Sequence, residues 1–432
     1  MKLSISPQAR GAFTLTEVLV SSALIVAIMA LMFTTLEQTR KTINATTSRV
    51  SQFQSARVAF ESMTRTLNQA TLNTYYDLDR TSDRAQNPLR YRRQSDLHFV
   101  SGAAFQPKFF TAQGEGEEAR TPAHYPGHAI FFQAPLGVTS EENSLEDKAR
   151  RYRGLSSLLS VVGFYVKWDD DPVLPRFAER REDVVSKRWR FRLMQVQQPA
   201  ETVMVYADSN YTNLTASGAK ASPGAGFAGA TDWIKVALGD LPFPAGFRPP
   251  EGTEERMDYS RGLAENIVAI IIIPKLPERD RSSPNRLDDL SSNYEYDSCP
   301  QIAFDSQKRE FNPNDPASNL EAQIGNQNGG RTLKQLHQLP PILQVTMVAI
   351  DETSAQKLQD YSEDPHDFTI GLFRNLSTEA QFLQELGDPA NPDSNSLVHR
   401  LSNPDGALPT PRLNYRIFTS DVVLRGSKWS KN

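Results

Sequence analysis

"GAFTLTEVLV", Gly11 to Val20, leads into an apolar run and carries one glutamate, Glu17, near its start. From Val18 to Leu36 the chain reads "VLVSSALIVAIMALMFTTL", nineteen residues without a charge. At about 1.5 Å per residue such a helix is roughly 28 Å long, close to the ~30 Å hydrocarbon thickness of a bilayer. Val18, Leu19, Leu24, Ile25, Ile28 and Leu31 supply much of its bulk, and the partner they imply is the lipid bilayer. A carboxylate in such surroundings costs about 2.5–3.5 kcal/mol at the bilayer centre and less near an interface, so it is normally paired. Lys2 and Arg10 are the charged residues ahead of Glu17, which favours a cytoplasmic amino terminus and an exported bulk. Arg40 and Lys41 on the far flank weigh against that bias.

The run fits plainer classes of segment poorly. A secretory signal has an apolar core of about 7–15 residues and a small-x-small cleavage site. Here the run is longer and "MFTTLEQTRK" offers no such site. A plain signal anchor leaves Glu17 without a purpose, and a buried soluble helix fits neither the length nor the terminal position.

Composition divides the chain. Between Gly11 and Pro88 there is neither glycine nor proline, whereas the remainder holds most of the 28 prolines. Apolar positions beyond the run, Ile43, Val50, Phe53, Phe60, Met63 and Leu67, form one stripe at helical spacing. The spacing predicts one helix over 13–72, with 13–36 in the membrane and the later stripe packed on a sheet. It is too short and irregular for sustained heptads. From residue 73 onward the elements are mostly β: "VGFYVKW" (Val162–Trp168), "RWRFRLMQV" (Arg188–Val196), "TVMVY" (Thr202–Tyr206), "NIVAIIII" (Asn266–Ile273) and "ILQVTMVAI" (Ile342–Ile350) have strand composition. "YRIFTSDVVLRGSKW" (Tyr415–Trp429) reads as a closing strand or hairpin. Between them lie polar stretches, Ser209–Ser260, Pro277–Leu336 and Asp351–Leu413, with a short capped helix predicted at "STEAQFLQEL" (Ser377–Leu386).

"FTLTE" ahead of a long apolar run resembles the type III signal of type IV pilins and pseudopilins. The resemblance implies that a prepilin peptidase cuts before the run and methylates the new amino terminus, so the apolar helix stays on the mature chain. Glutamate stands fifth in mature members of that family. The same register here makes Phe13 the first residue, N-methylated, and Ala12 the residue before the cut. The family usually has glycine there; Gly11 sits one place early, and cutting after it would put Glu17 sixth. The Ala12–Phe13 bond keeps phenylalanine first and the glutamate in register. The resemblance gives Glu17 an assembly role, paired in low dielectric with the amino terminus of a neighbouring subunit.

Later stretches sharpen the likeness. "ARVAFESMTRTLNQA", "LAENIVAIIIIPKL", "LPPILQVTMVAIDE" and "FTSDVVLRG" resemble landmarks of the large J-type minor pseudopilins. "LNQATLNTYYD", "LHFV", "HAIFFQAPLG" and "FRLMQVQQP" are similar to a verrucomicrobial family of pilin-like products, Verru_Chthon cassette protein C. What this implies is an α+β, pilin-like fold: a leader over 1–12, the long helix over 13–72, and a periplasmic β-rich domain over 73–432 with long insertions. It implies a single-pass subunit of the inner (cytoplasmic) membrane in a type II secretion-like or type IV pilus assembly, at the tip or as an initiator. Its partners would be other pilin-like subunits, the prepilin peptidase and the inner-membrane assembly platform. The rival is a periplasmic binding module or hydrolase that uses the helix as a tether.

Chemistry-bearing patterns are weak. "HYPGH" sets His124 and His128 four apart, but Pro126 and Gly127 forbid the helix that a zinc-binding HExxH needs, so both are expected as exposed loop residues. Asp77, Asp79 and Asp83, and Asp169, Asp170 and Asp171, complete no EF-hand loop. "SKRWRFRLM" alternates aromatics with arginines; in a strand Arg188, Arg190 and Arg192 face away from Trp189, Phe191 and Leu193, as on a solvated arginine face. Stacking platforms for nucleic acid need both on one surface, and the net charge of −4 supplies no general attraction to it. Cys299 is the single cysteine and forms no internal disulfide. No GxSxG, P-loop, dinucleotide fingerprint or CxxC occurs. The expectation is a structural protein, not an enzyme, with no cofactor, no metal site and no nucleic-acid partner.

Overall fold

In this computed structural model the described residues are 14–78, 91–104, 109–110, 124–139, 155–170, 188–203, 231–243, 256–281, 290, 295–298, 337–361 and 413–429. The chain divides into two compact units, Met1–Gln52 and Phe53–Asn432. An amino-terminal apolar helix and antiparallel β-sheets make the architecture α+β.

Helix α1 spans Leu15–Leu67. No glycine or proline interrupts it, and Ala, Leu, Met, Gln and Arg recur along it, all good helix formers. Between Leu15 and Ile43 its most apolar window has mean hydropathy 2.3, long and apolar enough to cross a membrane. The hydroxyls in and beyond this span turn inward: Ser21 Oγ donates to the Glu17 carbonyl at 2.7 Å, Thr35 Oγ1 to that of Leu31 at 3.0 Å and Thr39 Oγ1 to that of Thr35 at 2.7 Å.

In the second unit the last turns of α1 bury Ala56, Ala59, Phe60, Met63 and Leu67. The helix stops after Leu67, and Asn68 Nδ2 donates to the Val423 carbonyl at 2.7 Å. A two-stranded hairpin follows, β1 (Tyr75–Leu78) with β2 (Tyr91–Gln94). The main sheet has six strands: β3 (Val100–Ala103), β4 (His128–Pro135), β5 (Leu159–Asp169), β6 (Arg190–Gln198), β7 (Ser260–Glu265) and β9 (Tyr296–Asp297), in the order β7-β6-β5-β4-β3-β9. The second sheet has order β11-β10-β8, with β8 at Ile267–Lys275, β10 at Ile342–Ile350 and β11 at Tyr415–Val423. Helix α2 spans Asp232–Ala237 and α3 spans Glu352–Tyr361.

Alternation along the strands feeds two cores, one on each face of the six-stranded sheet. On one face Ile130, Phe132, Val162, Phe164, Trp168 and Phe191 meet the α1 residues together with β8 and β10. On the other Ala129, Phe131, Val161, Tyr165 and Val196 meet α2, Phe109, Phe110 and Tyr125. The phenyl ring of Phe131 lies across Gly163, its partner on β5. A Cβ at 163 would stand 2.3 Å from the ring, so this strand glycine makes room for an aromatic neighbour.

β8, "IVAIIIIPK", is buried along its whole length, as a continuous apolar run requires. One edge pairs with β10. At the other edge His128 Nδ1 lies 2.9 Å from the Ile272 carbonyl oxygen and 3.1 Å from the Ile272 nitrogen. The preceding Gly127 has φ +84°, and a Cβ there would come within 2.5 Å of the Ile270 carbonyl oxygen. Glycine is what lets this corner approach β8 so closely.

Several expectations change. "TVMVY" does not begin as a strand: Ala200–Thr202 is a 3-10 turn, and 204–206 lie outside the described residues. β11 is a single closing strand that runs into a turn. His128 is fully buried at the start of β4, because its imidazole serves the β8 backbone, and His124 is half-buried. The arginine face is not solvated: Arg190 is 1% and Arg192 5% exposed, Arg190 covered by Glu352, Gln356 and Gln359 of α3 and Arg192 lying against Asp170 and Glu265. Cys299, Asp79, Asp83, Asp171 and Ser377–Leu386 lie outside the described residues.

Candidate functional site

Two polar constellations stand out, one at the start of α1 and one at a corner of the β unit. The first is built by Thr14 and Glu17. Thr14 stands just before the first helical residue, and Glu17 three places on. The Thr14 backbone N–H and its Oγ1 hydroxyl both lie 3.0 Å from Glu17 Oε2, and the Glu17 N–H lies 3.3 Å from Thr14 Oγ1. This is a reciprocal capping box: the Glu17 carboxylate takes up donors that the first turn leaves open, and it complements the positive end of the helix. Glu17 Oε1 has no partner among the described residues. The carboxylate therefore has a local reason to stand at the head of an apolar helix.

Val18, Leu19, Leu24, Ile25, Ile28 and Leu31 follow on α1, between 54% and 67% exposed. Ala12 and Phe13 lie outside the described residues. Sequence reasoning missed Thr14; the Thr-x-x-Glu spacing of a capping box carries the signal.

The second constellation gathers where β6, β7 and α3 meet. Arg190 Nη2 lies 2.7 Å from Glu352 Oε1, and the same guanidinium donates to Gln356 Oε1 at 2.9 Å and Gln359 Oε1 at 2.5 Å. Arg188 Nη2 reaches Glu352 at 3.2 Å and Glu265 at 3.0 Å. Asn266 Nδ2 donates to Glu352 Oε2 at 2.8 Å. Burial alone would raise the Glu352 carboxyl, but hydrogen bonds from Arg190 and Asn266 and the charges of Arg190 and Arg188 outweigh it and hold it at about 2.

Asn266, at φ +61°, is the single residue between β7 of one sheet and β8 of the other. Asparagine tolerates that left-handed geometry better than most residues. The corner thus ties together the joint between sheets, the buried Arg190 and the start of α3. Asp351 caps that helix, accepting from the Ser354 N–H at 2.8 Å. The corner's charged groups pair with one another, whereas the buried Asn266 Oδ1 has no hydrogen-bond partner among the described residues.

Among the described residues no three His, Cys, Asp or Glu side chains group as a metal site. Asp169 pairs with Lys167 at 2.5 Å, and Arg192 Nη1 donates to the Asp170 carbonyl. Comparison with protein-family models, with curated proteins and with solved structures finds no match to this chain.

Proposed function

We propose that this chain is a minor pseudopilin-like subunit, anchored once in the cytoplasmic membrane with its β-rich unit in the periplasm. It joins other pilin-like subunits in a type II secretion-like or type IV pilus assembly, as a tip or initiating component. The observation that carries this reading is the self-capped Glu17 at the head of an exposed apolar span, upstream of antiparallel sheets. A plain tether needs the carboxylate only as a cap; an assembling helix can also use its open oxygen, because an amine brought beside it in low dielectric is strongly attracted. Recruitment at an end suits the length of the chain, since large insertions are hard to seat in a repeating lattice and easier where neighbours are fewer.

Mass spectrometry of the purified protein tests the reading. The expected amino terminus is N-methyl-Phe13, and loss of the prepilin peptidase leaves the leader attached. An intact Met1 in cells that hold an active peptidase refutes the proposal and favours a tethered periplasmic module.

A further inference from the structure

His98, just before β3, joins two elements through its two ring nitrogens. Its Nε2 lies 2.6 Å from Asp297 Oδ1 on β9, and the Trp233 indole nitrogen on α2 lies 3.2 Å from its Nδ1. All three are buried, with 6% of His98, 7% of Asp297 and 5% of Trp233 exposed. An indole N–H only donates, so Nδ1 must accept. The imidazole is therefore neutral, with its proton on Nε2 donated to the Asp297 carboxylate.

These two arms respond oppositely to a second proton. On Nδ1 it would face the indole N–H donor to donor and abolish that bond. The Nε2–H bond to the Asp297 carboxylate, already charge-assisted, would gain charge on the donor as well and become an ion pair. Other titratable groups stand on the surrounding segments: Asp96 two residues before His98, Asp240 after α2, and the buried His337, whose backbone N–H donates to the Ser298 carbonyl at 2.6 Å. β3 is "VSGA", and β4 meets the His98 backbone N–H through the neutral Gln133 amide at 2.8 Å. On α2, Asp232 and Lys235 pair with each other at 3.2 Å; Glu295 stands one residue before β9.

We propose that His98 is an acid-operated latch: protonation of Nδ1 releases α2 from the sheet while tightening β3 against β9. α2 is only six residues long and covers part of the second core with Trp233, Ile234, Val236 and Ala237. Losing one buried anchor therefore matters to it more than to a long helix. In acid the latch would expose apolar surface near Phe131 and Tyr165, a response of use to a unit exported as proposed above.

Amide hydrogen exchange on the full chain in detergent micelles, at about pH 7.5 and about pH 5, tests this after correction for intrinsic exchange. Both values lie above the range in which Glu352 takes up its proton. The expected result is opposite movement. Protection at Leu238 and Gly239, which donate within and just after α2, falls about tenfold in acid, the equivalent of one hydrogen bond. Protection at Ser298, whose N–H donates to the Phe99 carbonyl at 2.9 Å, holds or rises. His98→Gln cannot gain the proton, and its α2 protection becomes independent of pH. Trp233→Phe, which has no bond to lose, gives the same flat response with α2 loosened at both values. The proposal is overturned if α2 and Ser298 loosen together, if α2 does not change, or if either variant keeps the wild-type acid response.

Discussion

Helix α1 carries one apolar stripe into two different settings. Ile43 and Val50 stand 57% and 51% exposed, whereas Phe60, Met63 and Leu67, on the same stripe, are 7%, 0% and 0% exposed. Propensity, absence of breakers and periodicity are alike on both sides of Phe53; what differs is whether a sheet offers a complementary face. Phe60 finds Phe418 of β11 at a ring-centroid distance of 6.0 Å. A hydrophobic stripe therefore makes a helix face suited to burial, and here a sheet buries only its later part.

The most forceful way to break this comparison is to truncate one residue from each setting. Met63→Ala should cost about 3 kcal/mol in urea unfolding of the full chain in micelles, as for a buried side chain that leaves a cavity. Val50→Ala should cost under about 0.5 kcal/mol. Equal effects would show that the two settings are energetically the same.

A second test addresses charge within the buried unit. Glu352→Gln leaves the guanidinium of Arg190, only 1% exposed, without its carboxylate, and about 2 kcal/mol should be lost, discounted for the partial exposure of Glu352. The folded carboxyl sits at about 2 against 4.5 for a free one. Its contribution is therefore complete above 4.5 and fades as pH falls from there toward 2. The variant should lose that part of the acid limb in a pH series of unfolding, and an unchanged limb would place the acid sensitivity elsewhere.

Gly163→Ala sets a methyl against the Phe131 ring and should cost about 1–2 kcal/mol, with Phe131→Leu relieving part of the loss in the double variant. The smallest effect belongs to the exposed end. Thr14→Val removes the cap and should raise amide exchange in the first turn of α1, equivalent to about 1 kcal/mol, with the β unit unchanged. A shift in β-unit stability would contradict the separation of the two settings.

Much of this was legible from residue order. The apolar helix and strands β5, β6, β8, β10 and β11 follow from long runs with a clear period. β7 was not, because an edge strand reading "SRGLAE" has neither alternation nor β-branched residues. α3 lies inside a stretch that reads as polar loop, although Asp351 three places before Ser354 is a helix-start signal. Alternation sets Arg190 apart from Phe191, but says nothing about the α3 side chains that bury it. Of the candidate site, the run and Glu17 are plain in the sequence. Thr14 is overshadowed by the charge beside it, and the Arg190–Glu352 corner joins residues too distant in the chain for any local pattern.

The inward-turned hydroxyls of α1 carry a consequence for any passage between environments. Ser21, Ser22, Thr34, Thr35, Thr39 and Thr42 each donate to a carbonyl three or four residues earlier on the same helix. None of these donors has to find a new acceptor when lipid is exchanged for a protein neighbour. In the proposed assembly such a transfer would turn on contact area and van der Waals fit, with the helix's own hydroxyl bonds unchanged.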